Sequence, residues 1–141
     1  MRLRAITLLG ALLLGACHHP GVSHAGAVSP AMGCVTAGNL RSGRARVYDA
    51  REVTRAVQPP KENIALRSAP FPGTVVVEFV VDSTGRADLA TVNVVSPALP
   101  PQLESVREYL TEAHFQAAEV NGRHVLQCVQ QRFEFVLPPP R

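Results

Sequence analysis

Residues 73–86 read GTVVVEFVVDSTGR, and this stretch decides the fold. Its β-branched and aromatic content predicts a strand over 73–82. Side chains alternate across a pleated strand, so Val75, Val77, Phe79 and Val81 share one face. Thr74, Val76, Glu78, Val80 and Asp82 share the other. The segment DSTGR at 82–86 then predicts a hairpin loop, with Gly85 supplying a residue that tolerates positive φ. Residues 89–95 are the expected partner strand.

Downstream, Pro97, Pro100 and Pro101 end that strand and open a helix, since proline is at home in a first turn. Leu103, Val106, Leu110 and Ala113 recur at helical spacing and mark its buried face. Glu104, Glu108 and Glu112, with Arg107, read as a solvated face, because nothing apolar surrounds the carboxylates to shift them toward acid–base work. Asn121-Gly122 is a turn signal, and 124–137 reads as one long final strand. Upstream, Val47, Tyr48 and Val53 predict a short extended piece before Pro59-Pro60. Residues 61–68 have room for two helical turns with Ile64 inward, closed by Pro70 and Pro72. The order predicts an α+β domain over 47–137. Its layers are a three-stranded antiparallel sheet and helices on one face, followed by a tail at 138–141.

Composition narrows the function. In 141 residues there are 14 basic and 11 acidic side chains, net +3, scattered with no basic stripe, so nucleic acid is not an expected partner. Ser96, His114 and Asp82 are drawable as a triad, but no nucleophile elbow or glycine-rich oxyanion turn frames the serine. No phosphate loop is present, and His18, His19 and His24 lie in a glycine-rich stretch without second-shell support for a metal. The expectation is a non-enzyme with no catalytic residues, cofactor, metal or small-molecule substrate.

The N-terminus decides the compartment. Arg2 and Arg4 precede an apolar run at 5–16, which is shorter than the roughly 20 residues a bilayer-spanning helix needs. It ends Leu14-Gly15-Ala16-Cys17, which resembles the lipobox of bacterial lipoproteins. That resemblance implies a signal peptide at 1–16, cleavage before Cys17, and lipidation of Cys17 as the link to membrane lipid. His18 stands where an Asp would resemble the inner-membrane retention signal, which favours the outer membrane facing the periplasm. Residues 17–46 hold Gly21, Gly26, Gly33, Gly38 and Gly43 without any sustained period, and read as a flexible tether. Its reach as a coil is on the order of 30 Å.

GTVVVEFVVDSTGR at 73–86, VNVVSP at 92–97, the helix ending in Phe115, NGRHV at 121–125 and FEFVL at 133–137 together resemble the C-terminal domain of TonB-type energy transducers. The match covers 58–137. It implies a role in TonB-dependent transmembrane transport, through binding of extended peptide segments such as the TonB boxes of outer-membrane receptors, or of other envelope proteins. Transducers of that family also carry a membrane helix and a long Pro-rich rod. The lipobox and short tether here predict binding and not force transduction.

In the family the last strand is an open sheet edge that accepts a peptide by β-augmentation. Here that implies Val125, Gln127, Val129, Gln130, Arg132 and Glu134, with the polar members discriminating among peptides. A second reading stands beside it: the edge is blunted by charge or covered by the chain's own 47–53 segment, leaving a structural envelope lipoprotein without peptide capture. Cys34 and Cys128 are the thiols left once Cys17 is lipidated, and an even pair in an oxidising compartment predicts a disulfide. In the chain-entropy model its loop of about 95 residues is worth roughly 4–5 kcal/mol. There is no C-x-x-C, so redox chemistry is not expected.

Overall fold

The computed structural model describes residues 23–30, 46–48, 50–67 and 69–137. The signal peptide, Cys17, most of the tether, Cys34 and the tail at 138–141 lie outside the described residues. Among the described residues there are seven elements: β1 (His24–Pro30), β2 (Val47–Tyr48), β3 (Gly73–Val81), β4 (Ala87–Val94), α1 (Pro100–Glu112), β5 (Ala118–Val120) and β6 (Arg123–Phe135). The architecture is α+β, with a six-stranded, mostly antiparallel sheet and, among the described residues, one helix.

The sheet is larger than the three strands expected. Its order is β1-β6-β3-β4, with β2 parallel and β5 antiparallel to β6. The predicted hairpin is its centre: β3 pairs β4, and along its whole length it pairs β6, from Gly73↔Phe135 to Val81↔Gln127. Val75, Val77, Phe79 and Val81 are fully buried, as the alternation requires. Val80, on the other face, is buried against Val47 and Cys128 in a second small cluster. β4 starts earlier than the expected partner strand and bulges between Asp88 and Asn93. Within the bulge the Thr91 hydroxyl accepts from the Val80 amide at 2.8 Å and donates to the Asp88 carbonyl at 2.7 Å. A side chain thereby replaces the backbone partner that the bulge removes.

α1 packs its Val106, Tyr109 and Leu110 on the β3–β6 face, where Tyr109 meets Phe133 edge-on at 5.2 Å. Its start follows from Pro100 and Pro101, whose missing amides need no partner, and from Gln102, whose Oε1 accepts from the Leu99 amide at 3.0 Å. Tyr109 lies outside the predicted apolar stripe yet is buried, and Leu103, within it, is only half-buried. The expected helix at 61–68 is irregular chain in its described part, 61–67. Two turns after Pro59-Pro60 are too few to nucleate a helix without side-chain support. Leu66 and Ala69 instead anchor the segment singly in the core.

The DSTGR loop is set by three contacts. The Asp82 Oδ1 accepts from the Thr84 amide and hydroxyl and from the Arg86 amide. Gly85 has φ +85° and lies against Phe115, whose amide donates to the Gly85 carbonyl at 2.8 Å. Arg86 Nη2 donates to the Thr111 carbonyl at 2.7 Å, satisfying an acceptor at the C-terminal end of α1.

Candidate peptide-binding edge

β6 is not an open edge. β3 lies along one side of it, while β1 pairs antiparallel with its C-terminal half, from His24↔Glu134 to Pro30↔Val129. β2 adds Val47↔Leu126 and Tyr48↔Gln127, and β5 pairs its first residues through the Asn121-Gly122 turn. Covering by residues near 47 was one of the two readings of this edge. The larger cover, β1, comes from the segment expected to be a tether.

The six expected edge residues divide between two faces. Val125, Gln127 and Val129 point to the helix-covered face, where Val129 and Gln127 are fully buried. Gln127 therefore does not discriminate among peptides. Its Oε1 accepts from the Val57 amide at 2.8 Å, fixing the chain that leads to Pro59, while its Nε2 has no hydrogen-bond partner. Gln130, Arg132 and Glu134 lie on the opposite face, with Arg132 exposed. Glu134 meets His24 of β1 at 3.3 Å, between exposed side chains whose attraction is weak in water.

β1 is held along β6 by its backbone ladder, and among its described side chains Ala25 and Val28 are half-buried against the core. A one-residue irregularity between them lets Gly26 approach β6 closely: a Cβ there would stand 3.1 Å from the Arg132 carbonyl. The Gly26 carbonyl accepts from Gln131 Nε2 at 3.1 Å, and the Ser23 hydroxyl accepts from the Val136 amide at 3.2 Å. Gln131 is a buried amide whose one sequence signal is its place among apolar neighbours on the inward face of β6.

Beside β1, a cavity of about 400 Å³ is lined by His24, Gly26, Pro60, Ile64, Tyr109 and Gln131, among others. Burial pushes the Tyr109 phenol up, while contact with the Gln131 amide works the other way. Gln131 Oε1 has no partner in hydrogen-bonding geometry, although that phenol lies close.

Cys128 is disulfide-bonded, on the face of β6 that carries Leu126 and Gln130, and its partner lies outside the described residues. Ser96, His114 and Asp82 go to different partners: Ser96 to the Val76 amide, His114 to Arg86, Asp82 to its own loop. Among the described residues no His, Cys, Asp and Glu cluster with metal-binding geometry, and no helix is long and apolar enough to cross a membrane. Compared with known proteins, the chain matches no family model and no curated protein.

Proposed function

We propose that this chain is a non-catalytic lipoprotein of the bacterial cell envelope, lipid-anchored at Cys17 and facing the periplasm from the outer membrane. In this reading β3, β4 and β6 are the three-stranded antiparallel centre of a TonB C-terminal-like domain, and β1, β2 and β5 are additions to it. The domain binds extended peptide segments of envelope proteins by β-augmentation on β6, with TonB boxes of outer-membrane receptors as the leading class. One observation carries this reading: β6 already accepts an added extended strand, β1, from a segment about a hundred residues away in sequence. That strand lies along β6 by its backbone ladder, with Ala25 and Val28 half-buried beneath it, as a replaceable occupant of such an edge would be.

A second reading is favoured by the Cys128 disulfide. A bond on β6 that ties down the chain beyond β1 would make the added strand permanent, leaving a structural lipoprotein without peptide capture. Photocrosslinking in cells from Gln130 and Arg132, which unlike Gln127 are not buried, separates the two. Adducts to receptor plug segments or other envelope peptides support capture. Adducts confined to 24–30 of the same chain overturn it.

A further inference from the structure

The described large apolar side chains left exposed are Phe71 at 51%, Val94 at 39%, Val95 at 51%, Leu99 at 45% and Leu137 at 54%. They are not scattered. Phe71 and Leu137 flank the Gly73↔Phe135 pair that ends the β3–β6 ladder. Leu99 lies at the start of α1 beside Pro72 and Gly73, around a shallow cavity. The Val95 amide donates to Val76, which brings Val94 and Val95 into the same half of the sheet. The opposite end, formed by the 82–86 loop and the Asn121-Gly122 turn, carries Arg55, Glu119, Arg123 and His124, while the charged Lys61 and Glu62 near the first end lie to one side, beside Ser23 and His24.

The chain enters the fold at the apolar end. Ser23 is bonded to the Val136 amide, beside Leu137. Cys17 precedes Ser23 by six residues, which span at most about 20 Å when fully extended. An acylated Cys17 therefore holds this end, and not the polar one, against the lipid surface.

We infer that the end of the domain bearing Phe71, Leu99 and Leu137 rests in the interfacial layer of the membrane that holds the acylated Cys17. Apolar side chains at the boundary of headgroups and acyl chains add to the anchor's hold. The polar end, with the Asn121-Gly122 turn, then points away from the membrane, and β6 and β1 run between the two. The inference rests on the lipid-anchored reading, and its test separates the two.

The chain has no Trp, so a single introduced one is an unambiguous reporter. Phe71→Trp, Leu99→Trp, Leu137→Trp and, at the far end, Arg123→Trp are all exposed positions. Each variant is placed on phosphatidylethanolamine–phosphatidylglycerol vesicles containing lipid brominated along the acyl chain. One arm uses the full chain matured in cells, whose acylation is read by mass. The other uses unacylated chain coupled through Cys17 to a maleimide lipid. Far-UV circular dichroism confirms that each variant is folded. The expected result in the coupled arm is loss of about half the fluorescence at the first three positions and about a tenth or less at Arg123→Trp. Equal quenching at both ends overturns the orientation. So does absence of quenching at Phe71→Trp, Leu99→Trp and Leu137→Trp, with or without self-association through that end. A missing acyl mass with end-selective quenching in the coupled arm overturns the lipoprotein reading alone.

Discussion

Gly85 and Phe115 meet backbone to backbone: the Phe115 amide donates to the Gly85 carbonyl at 2.8 Å, and a Cβ on Gly85 would collide with the Phe115 carbonyl oxygen. The residue therefore serves two purposes, a positive φ in the β3–β4 loop and a close approach to the segment leaving α1. Gly85→Ala is expected to cost about 2–4 kcal/mol, from combined strain and displacement of backbone. Gly122 also has positive φ, but a Cβ there meets nothing within 4 Å, so Gly122→Ala is expected to cost about 1 kcal/mol. Urea denaturation of both variants checks the contrast, and equal losses would remove the packing argument.

Asp82 ties the same loop together. Burial works to raise its pKa, but hydrogen bonds from the Thr84 side chain and from the Arg86, Thr84 and Gly85 backbone together hold it below the ordinary carboxylate value. A folded-state pKa lowered in this way stabilises the fold above the unfolded pKa of about 4, and that contribution is lost as pH falls through the folded value. Asp82→Asn is expected to be less stable than the native chain at pH 7 and to lose less on going to pH 3. Denaturation midpoints at both pH values test this, and parallel losses in the two proteins would refute it.

Gln127 and Gln130 are three residues apart on one strand and do different things. Gln127→Ala leaves the buried Val57 amide without its acceptor, for an expected loss of about 2–3 kcal/mol. Gln130→Ala, on the outer face, is expected to change stability by less than about 0.5 kcal/mol. Thermal melts rank them, and a neutral Gln127→Ala would contradict the buried hydrogen bond.

Cys34 is the expected partner of Cys128. Cys34→Ser and Cys128→Ser should then each lose a similar stability, roughly 2–5 kcal/mol, and the double variant no more than the Cys128→Ser change. Non-reducing peptide mapping identifies the pair directly. A Cys17–Cys128 linkage would be incompatible with lipidation of Cys17.

Much of the fold was legible because its signals are local. The alternation at 75–81, the loop residues Asp82 and Gly85, the prolines opening α1 and the Asn121-Gly122 turn each act through their own backbone or nearest neighbours. The segment at 61–67 reads as helical but is irregular, because its anchor Leu66, with Ala69 just beyond it, belongs to a core assembled elsewhere. Thr91 carries no local signal of its role, because a bulge is defined only against its partner strand.

By itself, the sequence determined the α+β class, the β3–β4 hairpin, the helix and the length of the final strand. Local periodicity and backbone chemistry specify those without reference to distant residues. Only the tertiary structure decided that β6 is flanked on both sides, that Gln127 is internal, and that the exposed Phe71, Leu99 and Leu137 share the end where the chain enters. Strand neighbours and the ends of a sheet are set by contacts across about a hundred residues. A small, glycine-bearing segment such as 24–30 carries no pattern that announces its partner, because backbone hydrogen bonds, available to almost any sequence, hold it in place.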